Sequence, residues 1–364
     1  MYIYQKRQSE DKMNENELLI TEYEAGQRLD KFLLKYFNDA SPGFVYKMLR
    51  KKRIKLNGRR AEGSEILTQG NELRFYISPE TMDQFMSARK IGAGCDSSGD
   101  IDVIYEDENI LAVNKPRGLL THPTTSVGQL KEDTLIDRCL AYLLDGGVFL
   151  ADKTSVFTPA FCNRLDRNTS GIVLCGKNPA AMRELNRSVA GRCIEKYYLA
   201  VVIGRPPAVK ELVSYHWKDA TANRASIVEA AGKFTTQAGD ENPFLDCQKR
   251  IERAGKEMVT GITTLTTNHG YSLLSVKLVT GRSHQIRAQL SAIGHPIVGD
   301  SKYGGKTSGV EWQLLHAERV VFAGLFGVLE YLNGMELYAP PDQWFMDRVR
   351  KLVGEGIFAA KEAD

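Results

Sequence analysis

The sequence predicts an α+β protein in two unequal parts, a small α/β module followed by a larger, strand-rich domain. Three observations predict it. Between Arg28 and Ile77, apolar residues recur first at helical and then at alternating spacing. From Pro79 to Gly99 the periodicity fails, and Gly92, Gly94, Ser97, Ser98 and Gly99 accumulate. Beyond Ile101, strand-like apolar runs return and continue to about Val349. The expected divisions are therefore an N-terminal extension (1–21), a small module (22–78), a linker (79–100), a large domain (101–349) and a tail (350–364). A chain of 364 residues, 43% hydrophobic and 26% charged, has ample apolar sequence for such cores. That composition excludes a disordered chain, a collagen-like repeat and a disulfide-dense miniprotein.

In the small module, Leu29, Phe32, Leu33, Tyr36 and Phe37 predict an amphipathic helix over Arg28–Phe37. Arg28, Lys31 and Lys35 fall together on its other side. Ser41-Pro42 reads as an N-cap followed by proline at the first helical position. Phe44, Val45, Met48 and Leu49 supply the buried stripe of a second short helix. Arg53 to Leu56 alternates and runs into Asn57-Gly58, a hairpin turn signal. Leu73, Phe75 and Ile77 alternate again and close a small sheet.

Charge is concentrated in this module. The whole chain carries +3, whereas residues 21–60 hold eleven basic and four acidic side chains. Lys47, Arg50, Lys51, Lys52, Arg53, Lys55, Arg59 and Arg60 follow one another with no acidic residue between them. A charge run is usually a solvated face. Here the bases line one side of two helices and a hairpin strand whose other sides are apolar, a cationic surface suited to a phosphate backbone.

The longest apolar run, Val320 to Leu329, is ten residues and is broken by Gly324 and Gly327. It is too short for a spanning helix, which needs about 20 residues. Residues 1–20 mix acidic and basic side chains and contain no apolar signal region. The six cysteines form no CxxC pair and no zinc-ligand spacing. A cytoplasmic protein with free thiols is expected.

The segment Asn163-Arg164-Leu165-Asp166-Arg167-Asn168-Thr169-Ser170-Gly171 stands out, a carboxylate between two arginines ahead of the apolar strand Ile172–Cys175. Carboxylates beside guanidinium groups are favoured in their ionised, nucleophilic form. The bland alternative is an aspartate that only organises a turn. Arg28-Leu29-Asp30 repeats the tripeptide at the start of a helix, so the tripeptide alone carries little. Gly171 to Asn178 imitates a nucleotide-phosphate loop, but it ends in Asn and its interior is strand-forming, so nucleotide hydrolysis is rejected. Between Leu278 and Gly305, Ser283 is expected to cap a helix with apolar positions Ile286, Leu290 and Ile293, ended by Gly294 and Pro296. Arg287 lies near its start, off the core stripe, placed to meet a carboxylate or simply exposed. His284 and His295, eleven apart, do not match a metal-ligand pair and read as structural or RNA-contacting. Glu195–Val202 reads as a strand with Lys196, Tyr198 and Ala200 on one face. The polar stretch Lys218–Lys256 reads as a loop excursion.

Together these segments resemble the RluA family of pseudouridine synthases. Ile104–Asp107 through Asn114–Leu119 is similar to the family's opening segment, Asn163–Gly171 to its catalytic motif, and Thr280–Gly305 to its third motif. Leu315-His316-Ala317 fits a further signature, and the basic module resembles the alpha-L RNA-binding domain named after a small-subunit ribosomal protein. The resemblance implies a mixed, mainly antiparallel sheet flanked by helices in the large domain. It implies isomerisation of uridine to pseudouridine, most simply in large-subunit ribosomal RNA, with no cofactor, no metal and no membrane partner, by a monomer. It implies Asp166 as the catalytic aspartate, Arg287 as its basic partner and Tyr198 as the aromatic packed on the target base. Arg164 aligns with an arginine that helps displace that base. One departure is Asn163, where the family commonly has His. RNA contacts are expected from Arg164, Arg167, Arg28, Lys31, Lys47, Arg50, Lys51, Lys52, Arg53 and Lys55. The competing readings are a non-catalytic RNA-binding or ribosome-assembly factor on the same fold, and a metal-dependent hydrolase built on the histidines.

Overall fold

A computed structural model describes residues 16–21, 24–85, 100–123, 132–147, 157–208, 210–218, 225–229 and 256–354. Most of the N-terminal extension, the glycine- and serine-rich part of the linker, the end of the tail, Cys95 and Cys247 lie outside them.

The small module forms as its pattern requires. Helix α1 (Leu29–Tyr36) buries Leu29, Phe32, Leu33 and Tyr36. In α2 (Pro42–Arg50) the Ser41 side chain accepts the Phe44 N–H, and Val45 and Leu49 are buried. Strands β1 (Glu17–Leu19), β2 (Ile54–Leu56), β3 (Arg59–Arg60) and β4 (Glu72–Phe75) make an antiparallel sheet in the order β1-β4-β2-β3. Asn57 and Gly58 both have positive φ, +50° and +74°, which makes the tight turn that pairs Leu56 with Arg59. Where the periodicity was expected to stop at Pro79, the chain instead forms α3 (Pro79–Phe85), and Met82 and Phe85 complete this module's core. A helix of 7 residues contributes too few apolar positions to show a period.

The large domain is built on one sheet containing β5 (Asp102–Glu106), β6 (Ile110–Lys115), β7 (Ala160–Phe161), β8 (Ser170–Gly176), β9 (Ile194–Ile203), β10 (Glu211–Lys218), β11 (Ala225–Glu229), β12 (Lys256–Asn268), β13 (Tyr271–Leu278), β14 (Leu315–Phe322) and β15 (Glu336–Tyr338). Its order is β11-β10-β12-β13-β9-β14-β8-β6-β5, with β15 added on β14 and β7 on β8. Among the described strands only β8 and β14 pair in parallel, matching His316 with Ser170 and Ala317 with Gly171. This is the mixed, mainly antiparallel sheet that was expected. The Lys218–Lys256 excursion is in part strand: β11 pairs along β10, and the residues between β11 and β12 lie outside those described.

Helices α4 (Leu135–Asp145), α5 (Pro179–Ala190), α6 (Gln285–Ala292) and α7 (Gln343–Val353) cover the sheet. Alternation along β9 works as read. Tyr198, Ala200 and Val202 face a core shared with Ile286 and Leu290 of α6, while Leu199 and Val201 face Phe345 and Val349 of α7. Burying Ile286 and Leu290 is worth about 1.5–3 kcal/mol each and fixes α6 against the sheet. No helix among the described residues is long and apolar enough to cross a membrane. Cys139, Cys162, Cys175 and Cys193 are free thiols.

Candidate active site

The loop before β8 is held from three sides. Asn163 accepts the Leu174 N–H at 2.8 Å and donates to the Ile172 carbonyl at 3.2 Å, so its amide behaves as an extra strand residue along β8. The Thr121 hydroxyl donates to the Leu165 carbonyl at 2.7 Å and accepts the Leu165 N–H. Leu165 is buried in the main core, and the Thr169 N–H closes the turn onto the Asp166 carbonyl. Asp166 is thereby lifted to the edge of the core with its carboxylate partly exposed.

Lys115, the last residue of β6, is fully buried and donates to the carbonyls of Pro116, Leu119 and Arg167 at 2.7, 2.7 and 2.9 Å. Three acceptors take all three N–H bonds of an ammonium group. Burial pulls this ammonium down, to about 7, while the nearby Asp166 carboxylate pulls it the other way. Lys115 thus ties the end of β6 to the loop that carries Asp166.

Arg287 comes from α6. It is buried, and its Nη1 donates to Asp166 Oδ2 at 2.8 Å. Its other edge is gripped by Asp300, whose carboxylate accepts from Nε at 2.6 Å and from Nη2 at 2.8 Å. Asp300 also accepts the backbone N–H groups of Lys302 and Tyr303. Burial would lower the guanidinium, but Asp300 and Asp166 outweigh it and hold it firmly protonated. Tyr303 lies under the same guanidinium, 5.2 Å from ring centroid to Cζ.

Helix α6 departs from an amphipathic pattern for a physical reason. It is buried on nearly every side, with Gln285 bonded to Thr260 and the Val259 carbonyl, and Gln289 bonded to Thr260 and Ser214. Arg287 is therefore enclosed rather than exposed. The helix also starts differently: the capping position is His284, not Ser283, with left-handed φ of +56° and no side-chain cap. Its Nδ1 lies 3.0 Å from the Tyr303 hydroxyl, and its Nε2 lies 3.8 Å from Asp166 Oδ1. Burial keeps this imidazole below its ordinary range, with Asp166 opposing.

Tyr198 is paired with Ala317 of β14 and Val276 of β13 and is 5% exposed. Burial raises its hydroxyl, and Asp166 raises it further. Arg164 is exposed and lies close enough to His122 to lower that imidazole, after burial. The Arg167 side chain donates to Glu132 at 2.9 Å. On the small module, Lys31, Lys47, Arg50, Lys51, Lys52 and Arg53 are exposed. Arg28 pairs with Asp30 at 3.0 Å, and Lys55 lies 4.9 Å over the Tyr76 ring.

Sequence reasoning assigned no site role to Lys115, Asp300 or Tyr303. Lys115 had a faint signal as a lone cation closing the apolar run Ile110–Val113. The other two sit in an irregular stretch without any period. His316 is a buried structural histidine, bonded to Ser170 and the Ala339 carbonyl, and His295 bonds the Ile203 carbonyl. Among the described residues no group of three His, Cys, Asp or Glu side chains converges on a point. Lys177, from the false phosphate loop, is spent on Glu106 and the Asp107 carbonyl. A cleft of about 390 Å³ beside Lys115 is lined by Asn114, Ser170, His316 and Asp342; Asp166 is not among its walls.

Residues 109–292, which contain Asp166, Tyr198 and Arg287, match the model of the RNA pseudouridylate synthases. An uncharacterized RNA pseudouridine synthase of Aquifex aeolicus (strain VF5) is 32% identical over 79% of this chain and 80% of its own. The ribosomal large subunit pseudouridine synthase C of Rickettsia bellii is 31% identical, covering 81% of this chain and 89% of its own. The ribosomal large subunit pseudouridine synthase D of Yersinia pestis is 28% identical over 79% of this chain and 76% of its own. The chain belongs to the RNA pseudouridylate synthase family and is an isomerase acting on RNA uridine.

Proposed function

We propose that this enzyme isomerises particular uridines of large-subunit ribosomal RNA, with Asp166 as nucleophile. The observation that carries the catalytic half is the charge-paired chain Asp166–Arg287–Asp300 beside Tyr198. An ion-paired carboxylate at the edge of a core, next to a buried aromatic, suits attack on an uncharged nucleoside held against a ring. The base must leave its stack to reach Asp166, which costs about a few kcal/mol. Tyr198 packing on the base, and exposed Arg164 at the mouth of the loop, offset that cost. Lys115, through the Arg167 carbonyl, and Asp300, through Arg287, keep the carboxylate aimed.

The small module supplies the grip. Its exposed bases on α2 and around the β2–β3 hairpin, with Tyr46 and Tyr76 exposed among them, form the mix of cations and aromatic faces that single-stranded RNA favours. In this reading it acts as an alpha-L RNA-binding domain, and Arg28, half spent on Asp30, contributes less than its neighbours. Ribosomal RNA is favoured as substrate by the two relatives whose names specify the large ribosomal subunit. The test is tritium release from RNA labelled at uracil C5. Wild type releases it and Asp166→Asn does not; equal release by both would overturn the role of Asp166. Mapping pseudouridine in ribosomal RNA from cells with and without the gene tests the substrate, and an unchanged map would overturn it.

A further inference from the structure

Moving the glycosidic bond from N1 to C5 requires two separate acts. The N1–C1′ bond must break and the C5–C1′ bond form, and the hydrogen on C5 must then leave as a proton. Asp166 leaves C1′ as C5 takes it and returns to its hydrogen bond with Arg287, so a second acceptor beside it is the better placed base for the C5 proton. Among the described groups around Asp166 the choice is narrow. Arg287 and Lys302 are cations, and Asp300 is buried and spent on Arg287 and two backbone N–H groups. Lys115 is buried with all its N–H bonds engaged, and Tyr198 holds its hydroxyl proton tightly.

Resting on the catalytic reading above, we propose that His284 is the base that accepts the C5 proton, with Tyr303 holding its ring in place. Three observations converge on it. Nε2 stands 3.8 Å from Asp166 Oδ1, too far for a hydrogen bond and close enough to face the same base. Nδ1 is 3.0 Å from the Tyr303 hydroxyl, and donation from Nδ1 leaves the lone pair on Nε2. The backbone at His284 is left-handed, φ +56°, a conformation costly for a non-glycine residue and held here by the packing of α6. The charged groups that act on the ring are Asp166 from the catalytic loop, Arg287 from α6, and Asp300 and Lys302 from the following loop. With burial they leave it neutral at pH 7, the form a base requires.

The step balances. The C5–H electron pair returns to the ring and restores its conjugation, and the proton goes to Nε2. Asp166, joined to C1′ while the base turns, leaves with its bonding pair as C5 takes C1′, and N1, left with the pair of the broken glycosidic bond, takes a proton from water. The imidazolium returns its proton to water through its partly exposed face, so the C5 hydrogen appears in solvent.

The test uses full-length enzyme under single-turnover conditions, in saturating excess over RNA carrying hydrogen, deuterium or tritium at uracil C5. His284→Ala should slow tritium release by about 10²-fold or more, the usual weight of a general base. It should reveal a C5-deuterium isotope effect absent from wild type, be restored by added imidazole, and leave RNA affinity unchanged. His284→Asn, whose side chain tolerates left-handed backbone, should behave alike and so separates loss of the base from loss of the fold. Release within two-fold of wild type overturns the assignment. So does a slow variant with neither isotope effect nor imidazole rescue, which would mark His284 as a support for Arg287. If wild type itself releases no tritium, the catalytic reading falls, and this assignment with it.

Discussion

Arg287 Nη1 donates to Asp166 Oδ2 at 2.8 Å, joining side chains 121 residues apart in the chain. The same guanidinium presents its other edge to buried Asp300, so one planar cation bridges two carboxylates. An ammonium is a point charge and cannot reproduce that fork. Arg287→Lys is expected to fold yet lose about 10²–10³ in single-turnover rate, the cost of a displaced electrostatic partner. Arg287→Ala leaves Asp300 buried without a counter-charge and should cost about 3–5 kcal/mol of stability in urea denaturation. Equal rates for wild type and the lysine variant would show that Arg287 supplies charge but not orientation.

Gly171 is where the parallel pairing of β8 and β14 becomes possible. Its φ is +113°, and a Cβ there would stand 2.2 Å from the Ala317 carbonyl oxygen. Backbone strain and a backbone clash coincide, with no flexible side chain to give way. Gly171→Ala should destabilise the catalytic domain by about 3 kcal/mol or more. Thermal unfolding checks it, and a shift within error of zero would mean that the two strands can separate locally without loss.

Much of this was legible in the sequence, because local rules and tertiary structure agree there. Ser41-Pro42 and Asn57-Gly58 act locally, and β9 reads as a near-continuous apolar run because both its faces are covered. The placement of Asp166 beside Arg287 was legible only through resemblance, since no period links residues so far apart. Two features stayed open. Helix α6 is buried almost all round, with Gln285 and Gln289 inside, so its apolar stripe left open whether Arg287 is exposed or enclosed. Arg-Leu-Asp occurs twice, and only the structure separates the copies: Arg28 pairs with Asp30 itself, whereas Asp166 pairs with a distant arginine. Asp300 and Tyr303 lie in irregular backbone whose shape depends on contacts made elsewhere.

Asp30 makes the small module sensitive to acid. Its carboxylate accepts from Arg28, from the Lys31 N–H and from the Tyr46 hydroxyl, and the Arg28 bonds foremost hold it below the ordinary carboxylate range. A carboxylate lowered on folding contributes stability above its unfolded value, about 3.9, and that contribution is lost as pH falls through the folded value. The melting temperature of the module should therefore hold from pH 8 to about 5 and fall below about 4. Asp30→Asn should lower it at pH 7 and flatten the acid limb. A variant as acid-sensitive as wild type would place the titrating group elsewhere.

The basic face of the small module makes a quantitative demand on salt dependence. Each phosphate neutralised on single-stranded RNA contributes about 0.7 to the slope of log affinity against log salt. Arg50, Lys51 and Arg53 are exposed, and none of them takes part in an ion pair found among the described residues. Replacing all three with Gln should weaken RNA binding and reduce the slope by up to about 2. The loss should appear in KM, because Asp166, Arg287 and Tyr198 are carried by elements of the large domain. Substituting Arg28, already paired with Asp30, should change the slope less than any of the three. Binding measured between about 50 and 200 mM salt separates the outcomes. An unchanged slope would identify the patch as a solvated surface, and the grip on RNA would then have to come from the catalytic domain.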